Sequence, residues 1–120
     1  MTDATTSDAT TDELWDTIER LVAWLDDART LPEETERILR IMKLSEEVGE
    51  ATQALIGVLG QNPRKGVSHT WDDVQAELCD VILTAAVALR SINPEARHIF
   101  AERLKHVTTR SLTTGVDRTT

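Results

Sequence analysis

Lys43-Leu44-Ser45-Glu46-Glu47-Val48-Gly49-Glu50 puts three carboxylates within five residues, inside a long stretch of helical pattern. A second acidic pair, Glu77 and Asp80, follows on what reads as the next helix. At 100° per residue, Lys43, Glu47 and Glu50 fall within roughly 60° of one another, and Glu46 lies roughly 40° beyond Glu50. Asp73, Glu77, Asp80 and Thr84 follow each other at spacings of 4, 3 and 4, so they line one helical face. Packing these two helices together would bring Glu47, Glu50, Glu77 and Asp80 into one cleft. Bare carboxylates at that range repel, and burial raises the cost. A hard cation between the helices removes the repulsion.

The fold class follows from the surrounding pattern. Leu14, Ile18, Leu21, Val22 and Leu25 mark a first helix, with Thr10 as N-cap, Glu13 three residues on, and Trp15 and Trp24 flanking the stripe. A second helix begins near Pro32 and runs to about Leu59, with Ile38, Ile41, Leu44, Val48, Leu55 and Leu59 as its expected core stripe. Gly49 sits in that helix interior, where close helix–helix approach or simple tolerance would account for it. Gly60 to His69 is a loop broken by two Gly and a Pro, and it contains Arg64 and Lys65. A third helix starts at the cap Thr70, with stripe residues Val74, Leu78, Val81, Ile82, Ala85 and Leu89. From Cys79 to Leu89, Asp80 is the single charge in eleven residues. A helix apolar all round is buried, so this reads as the central helix, covered in part by a second subunit. A fourth helix follows Asn93-Pro94 and carries Ala96, Ile99, Phe100, Leu104 and Val107. The expectation is an all-α, four-helix, bundle-like domain over residues 11–110, with a disordered leader at 1–10 and a flexible tail at 111–120.

Composition narrows the function. The 120-residue chain has a net charge of −8, which disfavours non-specific binding to nucleic acid. Residues 1–60 hold 14 acids and 5 bases, and residues 61–120 hold 7 acids and 8 bases. An acidic half fits a cation site, and fits a solvated helix surface as well. The single cysteine, Cys79, rules out an internal disulfide and favours a cytoplasmic setting. It reads as a core residue. No basic-then-apolar leader and no membrane span are visible.

The ligand set speaks to the metal. Neither acidic pair contains the Glu-x-x-His of di-iron helical proteins. All-oxygen ligation points to Mg²⁺, with Mn²⁺ as a substitute, completed by water and substrate phosphates. A buried arginine partner for Asp80, such as Arg40 or Arg90, is the structural alternative. For Glu46 and Glu50 the alternative is a solvated face, and Lys43 with Glu47 is also an ordinary i,i+4 pair. His69, His98 and His106 read as surface residues. Trp15, Trp24 and Trp71 read as packing, and Arg64 and Lys65 as a loop able to grip phosphate.

At these residues the chain resembles the MazG-like, all-alpha nucleoside triphosphate pyrophosphohydrolases. Their mark is EExxE on one helix and ExxD on the next. Here these are Glu46-Glu47-Val48-Gly49-Glu50 and Glu77-Leu78-Cys79-Asp80, with Lys43-Leu44 and the embedded Gly49 matching too. The similarity spans roughly residues 31–89. It implies Mg²⁺-dependent cleavage of a nucleoside triphosphate between the α and β phosphates, releasing the monophosphate and pyrophosphate. By the same resemblance Glu47, Glu50, Glu77 and Asp80 would hold the metal, and Glu46 would be an outer ligand or orient the attacking water. Lys43 would contact phosphate, and the chain would form a homodimer or homotetramer. The chain departs from the pattern after Pro94. No asparagine follows, and Arg103, Lys105 and Arg110 match a later basic motif only loosely. A reading from another class is a non-catalytic helical oligomer that binds a protein partner, with the acidic cluster as a relic or a docking surface.

Overall fold

The structure, a computed structural model, describes residues 2–112. It is all-helical, with four helices in chain order: α1 Thr2–Ala28, α2 Glu33–Leu59, α3 Trp71–Ile92 and α4 Ala96–Leu112. Helix α1 starts well before the expected cap at Thr10, so described residues of the expected leader are helical. Most of the expected tail lies outside the described residues, and Ser111 and Leu112 finish α4.

α2 and α3 form an antiparallel hairpin. Three pairings set its register. Arg40 Nη1 donates to Ser91 Oγ at 3.0 Å, Glu47 meets Glu77 and Asp80, and the Ser68 N–H donates to the Gly57 carbonyl at 3.0 Å. The loop between them is closed by local chemistry. Gly60 takes a left-handed conformation (φ 65°), which a glycine adopts without the penalty of a Cβ, and ends α2. At the other end Thr70 caps α3 as the sequence predicts. Its Oγ1 accepts from the Asp73 N–H at 3.2 Å, and Asp73 Oδ2 accepts from the Thr70 N–H at 2.9 Å. Asp73 is thereby committed to a capping box rather than to the acidic cleft.

Apart from Leu44, the contact between α2 and α3 is made by residues outside the expected stripe. Ala54 and Gly57 are buried, and Leu44, Glu47 and Ala51 are half-buried. A Cβ on Gly57 would collide with the ring of His69, so this glycine admits the loop. Of the expected core stripe of α2, Leu44 is half-buried, whereas Ile38, Ile41, Val48, Leu55 and Leu59 are exposed. The expectation for α3 holds in part, since Val81, Ala85 and Leu89 are half-buried. Val74 and Ala88 are buried, whereas Leu78 and Ile82 are exposed, Ile82 at 64%. Small side chains on the inner face let the helices approach closely, which turns the larger ones outward.

α3 is central in that α1, α2 and α4 all pack on it. The core lies where α1 meets α3 and the start of α4. Trp15, Ile18, Val22 and Ala96 are buried there, with Leu21, Ala86, Val87 and Leu89 against them. Trp15 meets Phe100 with ring centroids 6.2 Å apart. Trp24 and Trp71, by contrast, are exposed, as is Leu104. Ion pairs between α1 and the other helices fix its position: Glu19 with Arg90, Asp26 with Arg40 at 2.9 Å, and Asp12 with Arg97 at 2.6 Å.

Gly49 has nothing within 4 Å of where a Cβ would stand, so no close approach within the chain explains it. Gly49→Ala should therefore stabilise the chain by about 1 kcal/mol, the ordinary gain of Ala over Gly in a helix interior. Urea unfolding of the two proteins measures this, and a loss of stability would mean that another surface packs against this position.

Candidate metal site

Glu47 from α2 and Glu77 and Asp80 from α3 each present a carboxylate oxygen within 4.8 Å of the others. Their depths differ. The Glu47 side chain keeps 12% of its exposure, Glu77 is half-buried and Asp80 is exposed. Glu77 Oε2 is buried and has no hydrogen-bond partner. An orphaned carboxylate oxygen beside two further carboxylates is costly, because no donor of the protein offsets its lost hydration. A hard divalent cation satisfies all three groups at once, so the residues present fit Mg²⁺ or Mn²⁺.

The arginine alternative for Asp80 fails. Arg40 pairs with Asp26 and Ser91 and Arg90 with Glu19, and neither is paired with Asp80. The exposure of Asp80 and its neighbour Cys79 also corrects the expectation that both lie in an apolar core. A face that reads as buried by hydropathy is here the open side of the hairpin.

Lys43 is the cation nearest the cluster in the sequence, and it pairs with it. Its Nζ lies 3.4 Å from Glu46 and 3.5 Å from Glu47. The hydrogen bond and charge of Glu46, followed by Glu47, raise its pKa above the usual lysine value of 10.5. This attraction is present below that value and is lost only as pH rises through the raised one, so Lys43 is a fixed positive charge at neutral pH. It stands half-exposed at the rim, where it can meet an anion. Glu46 is exposed beside it.

The remaining expected residues lie elsewhere. Glu50 is exposed, one turn from Glu47, and is not among the three converging carboxylates. Arg64 and Lys65 lie in the α2–α3 loop. Lys65 lines a cavity of about 270 Å³ with Gln53, Asn62, Ser68 and His69, and no member of the carboxylate cluster lines it.

A neighbouring feature was not legible in the sequence. A cavity of about 340 Å³ opens beside the cluster, between α1, α2 and α3. Leu21, Trp24, Leu39, Leu83 and Val87 form its apolar wall. Lys43 belongs both to its rim and to the carboxylate site, and Thr84, one turn beyond Asp80, also lines it. Only the docking of α1 creates this space, so no local motif announces it.

In comparisons with protein-family models, curated proteins and solved structures, none matches this chain. Among the described residues no helix is long and apolar enough to cross a membrane.

Proposed function

We propose that this chain is a divalent-metal-dependent nucleoside triphosphate pyrophosphohydrolase of the MazG-like all-alpha kind. It would cleave its substrate between the α and β phosphates to give a monophosphate and pyrophosphate. The observation that carries the reading is the buried, unpartnered Glu77 Oε2 facing Glu47 and Asp80 across two helices. A solvated acidic face would leave no such atom.

In this reading Glu47, Glu77 and Asp80 hold Mg²⁺ or Mn²⁺, and Glu50 and Glu46 stand one step further out. The ion supplies charge neutralisation of the phosphates and a more acidic bound water. Lys43 meets the triphosphate from the rim and orients it, so that the nucleoside enters the 340 Å³ apolar cavity. Trp24, exposed at the cavity wall, offers a flat apolar surface to a base. Glu46, close to Lys43 and open to solvent, is placed to accept a proton from a water or to align one.

The test is pyrophosphate release from a panel of canonical and modified nucleoside triphosphates, ribo- and deoxyribo-, with Mg²⁺ and with EDTA. Release that requires the metal supports the reading. If well-folded protein releases none from any nucleotide and neither Mg²⁺ nor nucleotide raises its melting temperature, the catalytic reading falls and docking of a protein partner takes its place.

A further inference from the structure

The 340 Å³ cavity beside the carboxylates has apolar walls and few polar groups. Lys43 and Thr84 adjoin the carboxylate cluster, whereas Glu36 and Arg40 line the cavity further along α2. From Lys43 back to Glu36 is about 10 Å along the helix axis. The Arg40 side chain keeps only 9% of its exposure. Its Nη1 donates to Ser91 Oγ at 3.0 Å and its Nη2 lies 2.9 Å from Asp26, so the guanidinium is fixed in place. Its Nε is buried and donates to no group among the described residues. The Glu36 side chain is 21% exposed, and its ion-pair partner is Arg40 at 4.0 Å, beyond hydrogen-bond range. A buried donor and a mostly buried acceptor, side by side and both under-used, carry a cost that a ligand of matching polarity removes.

We propose that Glu36 and Arg40 read the base of the nucleotide, and that they select guanine. The inference rests on the proposed function for one point: Lys43 meets the phosphates, which sends the base end of the nucleoside toward Glu36. Both residues also line a polar cavity of about 80 Å³, which has room for two or three waters at ~30 Å³ each but not for a base. The larger cavity is therefore the seat.

The choice of guanine follows from counting donors and acceptors. Its pairing edge carries one acceptor, O6, beside two donors, the ring N1–H and the exocyclic N2–H. A carboxylate accepts both N–H groups at once, and Arg40 Nε donates to O6. That makes three hydrogen bonds. Adenine, cytosine and uracil offer this pair at most one donor and one acceptor, and so make two. Trp24, exposed at the cavity wall, stacks on any base and selects none. Selection therefore falls to the polar pair.

Isothermal titration of the full chain with nucleoside monophosphates tests this, since they lack the bond to be cleaved. Guanosine monophosphate should bind at least about tenfold more tightly than adenosine monophosphate, the worth of one further hydrogen bond to a charged group. Inosine monophosphate, which keeps O6 and N1–H but lacks the exocyclic amine, should fall between them; this comparison needs no variant to fold. Glu36→Gln, which can accept only one of the two N–H groups, should erase the preference for guanine over inosine. Equal affinity for the three, a preference that Glu36→Gln leaves unchanged, or no binding at all overturns the inference. Metal-dependent pyrophosphate release from other nucleotides would then leave the proposed function standing. Guanine-selective binding without pyrophosphate release from any nucleotide would do the reverse: the base site would stand and the catalytic reading would fall.

Discussion

Glu77→Gln is expected to stabilise the metal-free protein while lowering metal-dependent pyrophosphate release at least about a hundredfold. The two effects have opposite signs because one atom causes both. Glu77 Oε2 is buried without a partner and shares its site with Glu47 and Asp80. In the absence of a cation, an uncharged amide of the same shape removes a like-charge repulsion and gains a donor for a neighbouring carboxylate. That should be worth about 1–2 kcal/mol. With the cation, the same substitution removes a charged ligand. Losing groups that merely support metal ligands already costs 10–100-fold, so a ligand itself should cost more. Thermal melts with and without Mg²⁺ read the first effect, and the pyrophosphate assay reads the second. A variant less stable without metal and fully active with it would mean that Glu77 is an ordinary structural carboxylate.

Ile18→Ala is the substitution expected to damage the fold most among core positions, by about 2–5 kcal/mol. Ile18 is the largest fully buried side chain among the described residues, in the core where α1 meets α3 and the start of α4, beside Ala96. The space it leaves cannot close easily, because α1 is tied along its length by Asp12, Glu19 and Asp26 to three arginines on other helices. The core is small, so a loss of this size is a large fraction of the ~5–15 kcal/mol that holds a domain together. Urea titration monitored by circular dichroism gives the value. A change below about 1 kcal/mol would mean that α1 is not docked as described.

The sequence conveys helices better than it conveys their facing. The boundaries of α2 and the cap of α3 follow from Pro32, Gly60 and Thr70, whose effects are local. The choice of inner face does not. Periodicity marks Ile38, Ile41, Val48 and Leu55 as one stripe, and the default is to turn such a stripe inward. In the chain that stripe is exposed, and Glu47, Ala51, Ala54 and Gly57 face α3 instead. Hydrophobic spacing marks an apolar face without saying whether the fold turns it inward, so an exposed apolar face reads like a core face in sequence.

The same distinction runs through the site. Glu47, Glu77 and Asp80 converge because spacing on each helix and the register of the hairpin agree. Glu50 shares the spacing but lies too far around α2. Cys79 and Asp80 sit in an apolar run yet are exposed, because the run is apolar on average and not on every side. The 340 Å³ cavity depends on where α1 lands, and that is set by long-range core contacts, with ion pairs beside them, that no local pattern encodes.

The hairpin also bears on the order in which the chain acquires its structure. Glu47 and Glu77 lie on consecutive helices, whereas Ile18 and Ala96 come from opposite ends of the domain. The entropy of loop closure grows with the length of chain enclosed, so the hairpin is the cheaper contact to form. The carboxylates are thus drawn together by a local reversal, ahead of the contacts that seal the core. Topology therefore favours early assembly of the carboxylate cluster, whose helices are consecutive, over the hydrophobic centre, whose contacts span the domain.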